Sequence, residues 1–345
     1  MTEQPLLSIV ITSYTTDRLK DIFELLDSIK AQAYPRIETN FVVERSVELL
    51  DKVKAYAMSN NIPNFKALFN DGESGLSAAR NVGIKQAKGD IIAFVDDDVV
   101  LFPDWAEQMV KAYNNDSIIG VTGPAFPSWE DPSMSWFPEE FYWIISCTAW
   151  TGWKEVREVR NAWGHSMSFR KDAFEQAELF LNNYGYHKGP TAEDNEFSFR
   201  IKTITGKKLY YYPDIKVWHK VHKYRLSTEF IKERSYWIGY SRRMLKKACT
   251  KIEKDQNIFQ QECDLLKRIL KKLLPSIIKT FFTHPVTAWR QLKITVIVLT
   301  FVALGYLPHF FTRSRSNKLS ISAKGVSVWS NILLLAVPAL LAAIW

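Results

Sequence analysis

Three carboxylates in a row, Asp96-Asp97-Asp98, follow directly on an apolar run, Ile91-Ile92-Ala93-Phe94-Val95. Side chains so placed repel one another, and a structural role does not need three of them. In a chain-reversing loop the first and third point the same way while the middle one turns aside. A divalent cation bridged to a diphosphate would neutralise the cluster, and hard oxygen donors suit Mg2+ or Mn2+. A solvated acidic turn is the alternative. Far downstream, Val217-Trp218-His219-Lys220-Val221-His222-Lys223-Tyr224-Arg225 offers two imidazoles, one of which could complete a metal's ligand set. Lys223 and Arg225 beside them read either as phosphate contacts or as a solvated basic loop.

The elements that must position these groups follow from apolar spacing. Leu6–Ile11, Thr39–Val43, Phe65–Phe69, Ile91–Val95 and Ile118–Val121 read as short buried strands. Between them Leu19–Ile29, Val47–Met58, Ser77–Ala87 and Trp105–Tyr113 carry apolar residues at helical spacing. This alternation predicts an α/β fold with a mostly parallel, Rossmann-like sheet and helices on both faces. Such sheets bind ligands at the carboxyl ends of their strands. Those positions hold Thr12, Ser13 and Tyr14, then Glu44, then Asn70 and Asp71, then the three aspartates. For any one of these polar residues alone, a turn or a helix cap is the plainer reading.

Upstream of the aspartates the chain reads Gly75-Leu76-Ser77-Ala78-Ala79-Arg80-Asn81-Val82-Gly83-Ile84, then Ala87 and Gly89-Asp90. With the strand and Asp96–Asp98, this resembles the signature of family 2 glycosyltransferases with the GT-A fold. A second landmark of that family, Glu193-Asp194-Asn195-Glu196 with Phe199-Arg200 one turn on, follows at the expected distance. Between them lies Gly164-His165-Ser166-Met167-Ser168-Phe169-Arg170, with Ser166 where the family usually has Asn. Glu44 likewise stands where the family's second strand normally ends in Asp. The resemblance covers about residues 6–240. Val-x-His and Arg234-Ser235-Tyr236-Trp237-Ile238-Gly239-Tyr240-Ser241 look most like archaeal enzymes that extend dolichyl-phosphate-linked sugars.

The resemblance implies a nucleoside-diphosphate-sugar donor held by its base, ribose and diphosphate. Thr12, Tyr14 and Glu44 would meet base and ribose, Arg80 a phosphate or the base, and Asp96 the ribose. Asp97 and Arg225 join this donor-binding set. Asp98 would hold Mn2+ or Mg2+, with His219 the better match to the family's histidine and His222 the lesser. For Arg80 the competing reading is a surface arginine on an amphipathic helix. Inversion by direct displacement needs a base facing the acceptor hydroxyl. Asp194 takes that role and Glu193 is the runner-up, unless the pair merely complements a helix dipole. No covalent nucleophile is required.

The 345 residues carry a formal charge of +8, and its distribution matters more than its size. Residues 1–229 hold 26 basic and 32 acidic side chains, residues 230–293 hold 15 and 5, and residues 294–345 hold four and none. An acidic main domain with a basic tail argues against nucleic acid and toward an anionic membrane. Cys147, Cys249 and Cys263 form neither a disulfide framework nor a zinc motif, and the first residues do not read as a signal peptide.

From Leu265 pairs of apolar and basic residues alternate at nearly helical period, which predicts a basic amphipathic helix on the membrane surface, kinked or ended at Pro275. Packing against the catalytic domain is the alternative. Val326–Trp345 has 20 uncharged residues and predicts a membrane span. Ile294–Phe311 is marginal and reads as re-entrant or interfacial, because a full crossing would put the basic loop Thr312–Gly325 outside. The aromatic stretch Phe126–Trp153 reads as an acceptor-side wall or lid. The expected layout is a GT-A catalytic domain over 1–240, its nucleotide-sugar half about 1–122 and its acceptor half about 123–240. Amphipathic surface helices over 241–293 and hydrophobic segments over 294–345 follow.

The chain is therefore expected to be a membrane-attached, metal-dependent inverting glycosyltransferase with its catalytic domain in the cytoplasm. Its donor would be a nucleotide sugar, UDP by family habit, and its acceptor a saccharide on dolichyl or polyprenyl phosphate. The competing readings are a polyisoprenyl-phosphate hexose synthase that uses the bare lipid phosphate and a non-catalytic nucleotide-sugar binding protein.

Overall fold

Apolar residues on both faces of the first strands require cover on both sides, and the computed structural model shows that arrangement. It describes residues 4–182, 193–249 and 260–307. In chain order the elements are β1 (Leu7–Ser13), α1 (Leu19–Lys30), β2 (Ile37–Glu44), α2 (Val47–Ser59), β3 (Phe65–Asn70), α3 (Leu76–Gln86), β4 (Ile91–Asp96), β5 (Val99–Leu101), α4 (Trp105–Ala112), β6 (Ile118–Thr122) and β7 (Ala125–Trp129). Then come β8 (Arg157–Val159), β9 (Ser166–Arg170), α5 (Asp172–Gln176), α6 (Glu193–Thr205), β10 (Lys208–Tyr211) and β11 (Val217–Val221). The C-terminal helices are α7 (Thr228–Cys249), α8 (Gln260–Arg268), α9 (Leu274–Thr283) and α10 (Pro285–Tyr306).

The chain forms two compact units. The first comprises Met1–Glu130 and Ile145–Val221. Its main sheet has the order β3-β2-β1-β4-β9-β6-β10-β8. β1 pairs in parallel with both β2 and β4, and β9 runs antiparallel between β4 and β6. Leu7, Ile9 and Ile11 of β1 enter one buried cluster with Ile22, Leu25 and Trp105, while Val10 enters the other with Phe94 and Phe169. Gly83 lets α3 lie against β1, since a Cβ there would come 2.3 Å from a Val10 methyl. A second, three-stranded sheet, β5-β11-β7, was not legible in the sequence.

Several strands run further than their apolar runs. Thr12 and Ser13, expected just after β1, lie within it, and Asp96 closes β4 opposite Thr12. Hydrogen bonds to neighbouring strands, rather than side-chain type, set these ends.

The second unit comprises Asp131–Ile144 and the residues from His222 on, and so takes in 222–240. α7 and α10 meet through a glycine on each: a Cβ at Gly239 would lie 2.0 Å from the Val302 carbonyl oxygen, and one at Gly305 1.9 Å from that of Tyr236. The amphipathic helix expected from Leu265 forms, but Pro275 neither ends nor breaks it. A π-helical turn, Ile269–Leu273, precedes the proline, and the helix resumes with Pro275 in the first turn of α9. The shifted hydrogen-bond register of such a turn tolerates the missing proline N–H. The helix ends before Pro285, which opens α10. That helix starts nine residues ahead of the apolar segment read from the sequence at Ile294 and is long and apolar enough to cross a membrane. The expected span Val326–Trp345 lies outside the described residues.

Candidate active site

The small sheet brings distant residues to the aspartates. After Asp96 closes β4, the chain turns through Asp97 and Asp98 into β5, and β5 pairs antiparallel with β11, His219 opposite Val99. The Lys220 N–H donates to the Asp98 carbonyl at 2.8 Å. His219 thereby reaches a turn some 120 positions upstream, its Nε2 at 3.4 Å from Asp98 Oδ1. Among the described residues, Asp96, Asp98 and His219 have donor atoms close enough to share a cation, all within 4.8 Å of one another.

The donor chemistry fits a divalent cation. Two carboxylates and one imidazole are a mixed oxygen–nitrogen set suited to Mn2+ or Mg2+. His219 Nδ1 lies 3.1 Å from the Lys220 carbonyl oxygen; carrying its proton there, the ring donates to that oxygen and turns an Nε2 lone pair toward Asp98. The Asp98 and His219 side chains are both 1% exposed, so the charges there are expensive without a counter-ion.

Asp97 turns aside. Its carboxylate accepts a 2.5 Å hydrogen bond from Arg18, whose guanidinium also lies 3.3 Å from Asp98 Oδ2. Burial raises the Asp97 pKa above the usual carboxylate range, against the pull of Arg18. Arg18 is a functional candidate that the sequence reading missed. It sits in a single 3₁₀ turn after β1, where no spacing distinguishes it from a surface arginine.

Arg80 is 3% exposed, which excludes the surface reading. It lies on α3, donates to Glu193 Oε1 at 2.9 Å and to the Gly164 carbonyl at 3.4 Å, and stands 3.5 Å from Asp96 Oδ1. One guanidinium thus spans the aspartate turn and the Glu193-Asp194 pair at the start of α6. Asp194 Oδ2 accepts from the Gly164 N–H at 3.2 Å, and Oδ1 from the Asn195 N–H at 2.7 Å and Asn195 Nδ2 at 2.9 Å. Burial first, then the charge of Glu193, pushes the Asp194 pKa up to about 6. A carboxylate with that affinity can take up a proton near neutral pH.

The remaining expected contacts are more dispersed. Glu44 is committed to the approach to α3, accepting from the Ser74 hydroxyl and, at 3.0 Å, from the Gly75 N–H. Tyr14 is exposed and Thr12 half-buried near the end of the central strand β1, opposite Asp96. Ser166 is a core residue whose hydroxyl accepts from Trp105 Nε1 at 3.1 Å. Its neighbour His165, unremarked in the sequence, is buried near His219 with ring centroids 6.4 Å apart. Burial and the charge of His219 lower its pKa to about 3, so it stays neutral. Arg225 and His222 belong to the second unit, where each lies beside Tyr224.

Known proteins resemble this chain to different extents. The chain matches glycosyl transferase family 2 over residues 8–177. It is 30% identical over 304 residues to the glucosyl-dolichyl phosphate glucuronosyltransferase of Haloferax volcanii, spanning 87% of this chain and 95% of that one. Its structure resembles that of a mannosyltransferase from Pyrobaculum calidifontis in complex with GDP-Man and Mn2+, with a TM-score of 0.56 and 16% identity over 100% of this chain and 88% of that one. S. aureus TarS follows with a TM-score of 0.51 and 17% identity, over 98% of this chain and 50% of that one. These structural likenesses establish the GT-A-type α/β fold.

Proposed function

The chain belongs to glycosyl transferase family 2 and is an inverting glycosyltransferase, and we propose that it moves a sugar from a nucleoside diphosphate to a saccharide carried on dolichyl or another polyprenyl phosphate. The observation that carries the reading is the span of Arg80 between Asp96 and Glu193, which ties the turn of the proposed metal ligands to the start of α6, where the proposed base Asp194 stands. The similarity to a relative named for glucosyl-dolichyl phosphate supports the acceptor. Family habit favours UDP; GDP, present in the Pyrobaculum structure, is the competing nucleotide.

Asp96, Asp98 and His219 would hold Mn2+ or Mg2+. Such a cation, when bound, offsets the negative charge that develops on a departing nucleoside diphosphate. Arg18 pairs with Asp97 and also steadies Asp98. Thr12, Tyr14 and Glu44 would border the base and ribose, Glu44 by fixing the Ser74–Gly75 turn. With Glu193 tied to Arg80, Asp194 is the carboxylate of the pair available for proton transfer. It takes the proton of the acceptor hydroxyl as that oxygen bonds to the anomeric carbon and the bond from that carbon to the diphosphate breaks. One step inverts the centre and releases the nucleoside diphosphate. Because the donor is cytosolic, the catalytic unit would work on the cytoplasmic face of the membrane.

The purified full-length chain, given a panel of UDP- and GDP-sugars with glycosylated or bare dolichyl phosphate, tests this. Product on the glycosylated lipid with a UDP-sugar is expected. Product on bare dolichyl phosphate alone would replace the reading with a polyisoprenyl-phosphate hexose synthase.

A further inference from the structure

The C-terminal helices carry more apolar surface than their own packing uses. From the π turn through α9, Ile269, Leu273 and Ile277 recur every four residues and are buried. One residue on, Leu270, Leu274 and Ile278 form a second stripe, which runs on into Phe281 and Phe282. Of these Leu274 is half-buried and the rest are exposed, Phe282 by 83%. α10 repeats the pattern. Ala288, Ile294 and Val298 are buried, whereas Val286, Trp289 and Val296 are exposed, Trp289 by 64%.

Chemistry around this ledge selects the occupant. Exposed Lys271, Lys279, Arg290 and Lys293 flank the apolar stripes, and residues 260–293 hold seven basic side chains against two acidic ones. Apolar and aromatic side chains bordered by flexible cations match the acyl boundary and headgroups of an anionic leaflet.

α10 is about 33 Å long, enough to cross a bilayer, yet its packing argues against crossing. Its C-terminal half lies on α7 through Gly239 and Gly305 at backbone contact, and Lys232 of α7 places its ammonium 5.8 Å from the Phe301 ring centroid. A crossing α10 would draw α7 into hydrocarbon with Lys232, Glu233, Arg234, Arg242 and Arg243, a costly cluster of charge.

We infer that α8–α10 dock on one face of the membrane: the ledge formed by Leu270, Ile278, Phe281, Phe282, Val286 and Trp289 sinks into one anionic leaflet, and α10 lies along that leaflet rather than spanning it. The inference concerns attachment alone and is tested without donor or acceptor, so its failure leaves the proposed reaction untouched.

The test is depth measurement by nitroxide labelling of the full-length chain, at Phe282→Cys or Val296→Cys, with Cys147, Cys249 and Cys263 replaced by serine. Vesicles would be phosphatidylcholine with one quarter phosphatidylglycerol, and phosphatidylcholine alone. In the anionic vesicles both labels should be shielded from an aqueous relaxation agent, with position 296 no deeper than 282. In neutral vesicles position 282 should return to water. Lys271→Gln with Lys279→Gln, remote from the reaction, should lower the docked-to-undocked ratio about fivefold per charge removed. A water-exposed label at 282 in both vesicle types, or a label at 296 near the bilayer midplane, would overturn the inference.

Discussion

Glu193 and Asp194 are neighbours in the chain and differ in company. Glu193 is spent on Arg80, while Asp194 accepts hydrogen bonds from the Gly164 and Asn195 N–H groups and has a pKa raised to about 6 by burial first and then by the charge of Glu193. For Asp194 as the proposed base, a raised carboxyl pKa means a protonated, inactive form below about pH 6 and an ionised one above it. The acceptor-side kcat/KM should therefore rise with pH through about 6 and then level off. A pH profile of transfer checks this, and an acid limb centred near 4 would contradict it. Asp96–Asp98 were conspicuous in the sequence because three adjacent carboxylates need a counter-charge. Arg18 was not, because its partners come from a turn 79 positions away.

Helices and strands set how exactly these residues meet, and here apolar spacing was informative only where both neighbours were local. β1–β4 and β6, with α1–α4, were legible from apolar runs. β5, three residues long, was not, and neither was its pairing with β11, though that pairing delivers His219 to Asp98. Ser166 stands where the family usually has Asn, and its place on β9 turns the hydroxyl to Trp105. α3 carries Arg80, and its seat on β1 depends on Gly83. Gly83→Ala should destabilise the fold by about 1–3 kcal/mol, because the added methyl must displace Val10 in a packed core. Urea unfolding checks this; an unchanged midpoint would show that α3 is not held as closely as described.

Over the whole molecule, the +8 charge resolves into an acidic catalytic part and a basic tail. The anionic donor proposed for the acidic part would account for a carboxylate cluster able to take a cation. The tail's charge falls on helices whose apolar stripes face outward. Both trends were visible in the sequence, but the glycine contact of α7 with α10 was not, because close backbone approach leaves no periodic trace.

The central claim is that donor holding and proton transfer lie in one site on separate residues. Donor affinity and transfer rate measured together on Asp194→Asn test it most directly. We expect transfer to fall about 10²–10⁴-fold while Mn2+-dependent donor binding stays within a few-fold of the parent. Transfer that continues at the parental rate would contradict the account.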